Sequence, residues 1–401
     1  MTIAKGISKK VGYKKETTWG VLSGASGGKY IRRVKSNFNL TKATYESQEI
    51  RTDYQVADMR HGIRSADGAI DGELAPGSYS DFIGSVLARN FTTGATATAG
   101  VTIAASGSLF TITRATGSYI TDGFLVGSVV RLTGAGLNAA NAGNNALVVS
   151  LSATALTIAQ LSTTAFVPEG PIAAVTVAVV GKQTYAPLTG HTDDSYTFEE
   201  FYSDIGQSEV YTGMKVGSAD IKLPSTGLVT CNFALKGKDM AQTGTSQYFT
   251  TPTASGTNGV FASVSGALVV NGAPVGLITQ LDFKVDRGLN AADVVGSNVA
   301  ADIFTGRIRV TGNFSTYFQD GVFRDYFNAE NVVSLVVALS TGTAANADVI
   351  SFTLPKVKVG SATAADAEMG IVRSHTFTAL LNSDVSAGLA PTTILVQDTT
   401  L

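Results

Sequence analysis

The sequence has few of the residues on which metal sites, redox chemistry and electrostatic binding depend. Its 401 residues include one cysteine and three histidines, and 15% of them are charged, with a formal net charge of −2. A single cysteine excludes an intrachain disulfide, and a nearly balanced charge gives no electrostatic reason for tight binding to nucleic acid or a membrane surface. No apolar run approaches the roughly 20 residues of a spanning helix, and we expect no signal peptide in the first 20 or so residues, which lack its apolar segment.

The few candidate chemical groups stand in patterns that argue against catalysis. His61, His191 and His375 are far apart, and none belongs to a histidine pair at helical spacing, so the sequence predicts no metal site. Cys231 lies in the alternating segment LVTCNFAL, where a buried free thiol is expected. Glu199 and Glu200 are adjacent, and adjacent strand residues point to opposite faces, so they cannot serve one substrate as an acid and base pair. We expect neither catalytic residues nor a cofactor.

What the sequence has in abundance is the composition of a β protein. It contains 43 glycines against nine prolines, and short segments rich in Val, Thr, Ala, Phe and Tyr alternate with Gly, Asn and Ser turns. Asn271-Gly272 is a strong signal for a tight β-hairpin. With 44% hydrophobic residues the chain can bury the cores of two or three domains. The predicted fold class is mainly β.

An internal duplication accounts for much of the chain. The pentapeptide KVGSA starts at Lys215 and again at Lys358, and each copy is followed 13 residues later by a β-prone segment, LVTCNFAL or IVRSHTFTA. Both landmarks are offset by 143 residues. A strand and helix pattern at 69–87 resembles one at 309–327, and alignment of Gly72 with Gly312 gives an offset of 240. We therefore expect two tandem domains of one fold, each with a helix beside its sheet.

The disagreement between the two offsets predicts an insertion. The offsets differ by 240 − 143 = 97 residues, and residues 92–188 are the candidate because only five of these 97 are charged, whereas the other 304 carry 55 charges. The six or seven strand patterns in this segment suit a small β-sandwich or barrel of immunoglobulin-like size. Such insertions are tolerated at exposed loops, so we expect removal of 92–188 to leave assembly intact.

Three segments stand outside the regular strand pattern. Residues 1–30 and 383–401 are expected to be extended arms that become ordered only against other subunits. Residues 45–68 form a long loop dense in both signs of charge. A long charged loop within a compact domain indicates function or contact with a partner.

One part of the sequence resembles a known family. The segment EIRTDYQVADMRHGIRSADGAIDGELAPGSYSDFIGSVL, with ETTWG and RRVKSNFNLTK before it and MKVGSADIKLPSTGLVTCNFALKGKDM after it, is similar to the major tail tube proteins of bacteriophages with long non-contractile tails (siphovirus type). The resemblance covers most of residues 16–91 and 195–240. The positions that carry it are Arg51, Asp53, Asp58, Arg60, His61, Gly62, Arg64, Gly72, Glu73, Leu74, Pro76 and Gly77.

The resemblance implies a β-sandwich or split barrel with one flanking helix, whose sheets join between subunits into a β-barrel around a channel. Six single-domain copies usually form a ring, so a duplicated chain implies three chains in a pseudo-hexameric ring. The implied division is a first tail-tube domain at 31–91 and 189–250, an outward immunoglobulin-like insertion at 92–188, and a second tail-tube domain at 251–382. The arms 1–30 and 383–401 flank these domains.

The function implied by the resemblance is that of a structural subunit of the virion tail, made in the cytoplasm of the bacterial host. Copies polymerise into stacked rings, and double-stranded DNA passes through without specific binding. Tape measure, tail terminator and tail tip proteins are the further partners, and no membrane insertion is expected. Two alternatives stay open. One is another virion surface component, a decoration or adhesin that works through the insertion. The other is an enzyme acting on cell-wall polysaccharide, which needs a pair of carboxylates in a cleft.

Two groups of residues are candidates for contacts in such a tube. Complementary charges can set the axial register between rings, and those of the 45–68 loop are Arg51, Asp53, Asp58, Arg60 and Arg64. A channel that passes DNA should avoid clustered cations. The acidic residues expected to line it are Asp71, Glu73, Glu199 and Asp220.

Overall fold

The chain folds into long antiparallel sheets, as the composition predicts. A computed structural model describes residues 3–275, 278–319, 321–365 and 370–401, so residues 366–369 of the second repeated segment lie outside the described residues. Within the described ranges, two short α-helices of seven residues each accompany the strands. The fold is mainly β, which confirms the predicted class.

The described elements follow one another in four groups. The first is β1 (Lys9–Lys15), β2 (Lys29–Tyr30), β3 (Lys35–Glu46), β4 (Met59–Glu73) and α1 (Ser80–Val86). The second is β5 (Thr92–Thr93), β6 (Thr96–Ser106), β7 (Leu109–Arg114), β8 (Val129–Thr133), β9 (Ala146–Leu151), β10 (Ala155–Gln160), β11 (Glu169–Val179) and β12 (Lys182–Tyr185). The third is β13 (Tyr196–Tyr202), β14 (Gln207–Leu223), β15 (Thr230–Gly237) and β16 (Asp239–Gly244). The fourth is β17 (Gly266–Val270), β18 (Ala273–Pro274), β19 (Ile278–Asp286), β20 (Asn290–Ala292), β21 (Asp302–Phe304), β22 (Arg309–Tyr317), α2 (Val322–Asn328), β23 (Val332–Ser340), β24 (Val349–Ala365), β25 (Val372–Ala379) and β26 (Leu395–Asp398). The β17–β18 turn at Asn271 and Gly272, with φ of 48° and 79°, confirms the hairpin expected there.

The duplication is visible in the strand pairings. The order β1, β13, β14, β15, β4, β3 in the first repeat matches β17, β23, β24, β25, β22, β19 in the second. Both long strands bulge at the same place, Gly217 in β14 and Gly360 in β24, which are 143 residues apart as the sequence indicates. The pairing also changes the alignment of the second landmark, Gly72 with Gly312.

Gly312 corresponds to Gly68 and not to Gly72. Gly68 pairs with Phe38 and Leu235, and Gly312 pairs with Phe283 and Phe377, so the offset is 312 − 68 = 244. A side chain at either glycine would collide with a ring, at 2.4 Å from Phe38 Cδ1 or 2.5 Å from Phe377 Cζ. The expected offset of 240 is therefore wrong. The connection between strand and helix is longer in the first repeat than in the second. Because of this difference in length, the alignment of the sequence patterns did not show that the offset is 244.

Residues 1–30 are not a free arm, because they contain the first strand of the first repeat. β1 pairs with β13 over seven residues, and Val11 and Tyr13 are buried in the main core. In KKVGYKK the two apolar residues alternate, which is a strand signal, but four lysines conceal it. The strand is the counterpart of β17 in the second repeat.

The inserted segment forms a closed barrel. Strands β10, β7, β6, β11, β8 and β9 pair in a ring, so the immunoglobulin-like sandwich expected here is corrected to a six-stranded barrel with its own core. The barrel also docks on the second repeat: Val129 and Leu147 share an apolar cluster with Val336 and Val349. It is therefore integrated with its neighbour, which the low charge of the segment did not indicate.

Residues 383–401 are likewise part of the fold and not an arm. Strand β26 lies between β12 and β24 and pairs with both, and all four of its residues are buried. The side chain of Gln397 reaches the barrel, accepting from the Val129 amide at 2.7 Å and donating to the Val180 carbonyl at 2.7 Å. This strand connects the insertion to the second repeat.

One sheet runs without a break through both repeats. Its eight long strands are ordered β3, β4, β15, β14, β19, β22, β25, β24, and the junction between repeats is the pairing of β14 with β19. Successive side chains of each strand point to opposite faces of the sheet, so that one row points into the core. The buried members of this row include Ile70, Phe233, Val285 and Val310. The opposite face of this sheet is the main candidate surface.

Candidate assembly surfaces

The outer face of the eight-stranded sheet is polar along its whole width. One row of directly paired residues crosses all eight strands, and two residues further along a second row crosses seven of them. The first row is Lys35, Asp71, Asn232, Asp220, Lys284, Thr311, Thr378 and Lys358, and the second is Glu73, Thr230, Lys222, Asp282, Asn313, Thr376 and Ser361. Four acids and four lysines therefore balance in these rows, so the surface is polar and close to neutral. Part of it forms an open depression of about 700 Å³.

Three of the four acids expected to line a channel lie on this face. Asp71 accepts a hydrogen bond from Asn232 at 2.5 Å, and Asp220 is 3.9 Å from the ammonium of Lys222. Glu73 is half-buried in the second row. The face is less acidic than the sequence suggested, because four lysines match the four acids of the two rows.

Glu199, the fourth expected channel residue, is buried and its proposed place is wrong. Its side chain is 1% exposed, accepts from Ser208 Oγ at 2.7 Å and from the amide of Phe249 at 3.0 Å, and also accepts from the amide of Tyr248. This carboxylate holds the 248–249 loop against the sheet. It was misplaced because its strand, β13, belongs to the second layer, which alternation within a single strand cannot reveal.

The charged loop is a projecting hairpin whose five candidate charges are paired within the chain. Strands β3 and β4 extend to Glu46 and Met59, well beyond the strands beside them. Arg51 contacts Asp53 at 2.8 Å, and this hydrogen bond lowers the pKa of the Asp53 carboxyl. The other partners lie equally close, at 2.7 Å for Arg60 with Asp58 and 2.8 Å for Arg64 with Asp239. All five candidate charges therefore have intrachain partners.

The hairpin tip instead presents exposed apolar side chains that sequence reasoning missed. Ile50 is 99% exposed and Tyr54 is 98% exposed, and Val56 and Met59 are also solvent-facing. Tyr54 has φ of 59°, in the left-handed region that is uncommon for residues other than glycine. The sequence does show apolar residues spaced among the charges of this loop. Their periodicity alone does not predict that they are exposed. Several large apolar side chains exposed at one hairpin tip are typical of an interaction surface.

The opposite end of the sheet carries an apolar groove. It has a volume of about 310 Å³ and lies between the end of β22, the start of β25 and α2, with Tyr317, Phe323, Tyr326, Arg373 and His375 in its lining. His375 is buried and stacks on Phe314 at 5.0 Å, and burial, with Arg373, lowers the pKa of its imidazole. The two ends of the sheet are therefore unlike, with a projecting tip at one and a recess at the other.

Both edges of the sheet are open. Within the described residues, β3 pairs with β4 alone, and β24 beyond Lys358 pairs with β25 alone. Open strand edges expose unpaired backbone groups, and natural proteins either cover them or complete them with another chain.

The described residues hold no group of three or more His, Cys, Asp or Glu side chains arranged to bind a metal ion. Cys231 is a buried free thiol, as the strand pattern indicated, and burial raises its pKa. Glu199 and Glu200 are both buried and have separate partners, Ser208 and Lys9. None of the helices that the structure describes is long and apolar enough to cross a membrane.

A two-faced sheet with two open edges and two unlike ends is typical of a subunit that completes its structure with further copies of itself. A family model described as phage tail tube protein matches residues 6–379. The chain belongs to the phage tail tube protein family, and is thus a structural component of the virion tail. A comparison with curated proteins gives no match.

Proposed function

We propose that three copies of this chain close into a ring whose inner wall is the polar face of the eight-stranded sheet, and that stacked rings conduct double-stranded DNA. The observation that carries the proposal is the sheet itself, apolar towards the core, polar on the other side and open at both edges. Closure of such a sheet removes both edges. The balanced charges of the polar face suit passage of DNA without retention, because clustered cations would bind phosphate.

The strand count supports three chains. A barrel of eight strands is filled by its own side chains, whereas wider barrels leave a channel. Three chains of eight strands give 24, and at about 4.8 Å per strand the circumference is about 115 Å and the diameter between backbones at least about 37 Å. That width leaves room for a DNA duplex and its hydration. The duplicated fold makes such a trimer a pseudo-hexamer.

Rings stack through the unlike ends of the sheet. The hairpin tip of one ring, with Ile50 and Tyr54 exposed, meets the recessed end of the next ring. A contact between different surfaces of identical subunits does not close on itself and produces a filament. The charges that frame the apolar contact and fix its register are then Arg51, Asp53, Asp58, Arg60 and Arg64, each paired within its own chain.

The inserted barrel lies on the outside of the ring in this proposal. It packs on β17, β23 and the first half of β24, away from the polar rows. Synthesis in the host cytoplasm, a long non-contractile tail, and partners of the tape measure, terminator and tip classes follow from the resemblance in the segments at 16–91 and 195–240. The domain division is that of the sequence analysis, with β1 and β26 added to the folded domains.

Electron microscopy of the purified protein across a concentration series tests this function. We expect hollow rings or tubes that carry three outward knobs per ring, one for each inserted barrel. Compact monomers at every concentration would contradict the proposal. That result would favour a decoration or adhesin that acts through the barrel.

A further inference from the structure

We infer that neighbouring chains pair through β24 of one copy and β3 of a second copy, in the register already present at the junction between the two repeats. This inference rests on the proposed ring. It goes further by naming the residues that face each other across the subunit boundary.

The pairing between the two repeats within one chain is the template for the pairing between chains. Strand β14 of the first repeat pairs antiparallel with β19 of the second from Ser218 with Asp286 to Leu223 with Leu281, and Asp220 faces Lys284 on the polar side. In a ring of alternating repeats, the second repeat of one chain meets the first repeat of the next. The equivalent strands at that boundary are β24 and β3.

Strand β3 and the part of β24 beyond Lys358 are also the edge strands of the sheet. Strand β24 corresponds to β14 with an offset of 143, which the bulges at Gly217 and Gly360 establish. Strand β3 corresponds to β19 with an offset of 283 − 38 = 245, because Phe38 and Phe283 face the equivalent glycines. The template pair of Asp220 and Lys284 therefore maps onto Thr363 of one copy and Asn39 of the second.

The neighbouring pair follows from the same offsets. Ser218 and Asp286 map onto Ser361 of one copy and Thr41 of the second. All four residues of these two pairs are exposed in the single chain: Ser361, Thr363, Asn39 and Thr41. Exposure is expected of residues that pair with a strand of another chain.

Two side chains already touch the β3 edge, and neither blocks it. Lys9 Nζ donates to the carbonyl of Ser36 at 3.1 Å, and the Tyr211 hydroxyl donates to that of Phe38 at 3.2 Å. A carbonyl oxygen has two lone pairs and can accept a second bond. The more exposed part of the edge, from Asn39 to Glu46, is open for pairing.

The inferred register also satisfies the geometry of a closed barrel. The paired row that starts at Lys35 in β3 ends at Lys358 in β24. On that side Lys358 itself pairs with Val332, but extension of this row to the next copy in the inferred register reaches residue 43 or 44, a stagger of about eight or nine residues for every eight strands. At about 3.3 Å per residue and 4.8 Å per strand, this is a rise of roughly 26–30 Å over 38 Å, or a strand tilt of about 35–38°. Barrels typically have tilts of 35–45°, so the register closes without distortion.

Cysteine cross-linking in assembled tubes tests the register. The variant Thr363→Cys/Asn39→Cys places two thiols directly opposite across the subunit boundary, within the Cα separation that a disulfide requires. After mild oxidation with copper phenanthroline, we expect a non-reducing gel to show covalent dimers and trimers and no larger species. Native Cys231 is buried and does not compete.

The matched control is Thr363→Cys/Asn37→Cys, which moves one exposed thiol two residues along the same face of β3. Its diagonal Cα separation of about 7–8 Å is too long for a disulfide, so we expect at least tenfold slower cross-linking. Tubes in which this control cross-links faster than the first variant would overturn the register while leaving the tube function in place. A wild-type chain that forms neither rings nor tubes would overturn the proposed function, and this inference with it.

Discussion

At the residue scale, burial decides which acidic side chains serve the fold and which serve the surface. Glu199 and Asp71 look alike in the sequence, yet Glu199 is 1% exposed with three donors, whereas Asp71 lies on the polar face. A carboxylate that accepts from two backbone amides cannot be replaced by an amide without leaving one donor unpaired.

We expect Glu199→Gln to lower the free energy of unfolding by about 2–3 kcal/mol, because a buried backbone amide loses its acceptor. Urea unfolding of the monomer measures this change. The matched variant Asp71→Asn should change stability by less than about 1 kcal/mol, since its site is half open to water. Equal effects of the two substitutions would show that Glu199 has no special structural role.

Tyr54 at the hairpin tip is the residue whose loss should affect assembly most. We expect Tyr54→Ala to leave the stability of the monomer within about 0.5 kcal/mol, because the side chain is 98% exposed. The critical concentration for tube formation, measured by sedimentation, should rise about tenfold or more as an aromatic contact between rings is lost. Arg60→Ala at the same tip is the control. Should the arginine variant raise the critical concentration more than Tyr54→Ala, charge pairing would be the dominant contact.

At the element scale, the sequence predicted the regular parts well. The duplication, the insertion and the Asn271-Gly272 hairpin all follow from local patterns, since identical segments and turn chemistry report local structure directly. Strand β1 was missed because four lysines surround its two alternating apolar residues, and β26 because it has only four residues. The burial of both comes from partners distant in sequence. Exposure of the hairpin tip and burial of Glu199 likewise depend on tertiary packing.

Strand β26 gives the stability a specific pH dependence through Asp398. Burial raises the pKa of this carboxyl, although it accepts hydrogen bonds from the amides of Gly77 and Thr400. A carboxyl with a higher pKa in the folded state binds its proton more tightly there, so the folded state gains stability as the pH falls through that pKa towards the unfolded value near 4. At neutral pH the same group reduces stability.

We therefore expect the stability of the wild type, relative to Asp398→Asn, to increase by on the order of 1 kcal/mol between pH 7 and about pH 4. Denaturant unfolding at a series of pH values measures the difference. Asp384→Asn is a control of opposite sign, because hydrogen bonds from Ser386 lower the pKa of Asp384. A stability of the wild type relative to Asp398→Asn that falls on acidification would contradict this assignment.

At the scale of the whole molecule, the docked barrel changes the expected result of its removal. Thr93 and Lys182 are paired neighbours, so deletion of residues 95–180 can be closed by Gly94 and Gly181. The deletion uncovers apolar side chains of the second repeat, including Val269, Val336 and Val349. We expect a loss of about 5 kcal/mol and poor solubility, since burial of each such side chain is worth about 1.5–3 kcal/mol.

Thermal unfolding and the soluble fraction after expression measure this loss. The deletion combined with Val269→Thr and Val336→Thr is the matched control, and it should recover solubility by making the uncovered surface polar. A simple deletion that is fully soluble and assembles like the wild type would support an independent decoration instead.

In the proposed assembly, three chains form one continuous β-barrel around a channel. A helical reconstruction of the tubes by electron cryo-microscopy tests it most directly. We expect three chains and 3 × 8 = 24 inner strands per ring, with β24 of each chain beside β3 of the next and the polar rows facing the lumen. Six chains per ring, or a wall in which these two edges remain unpaired, would contradict it.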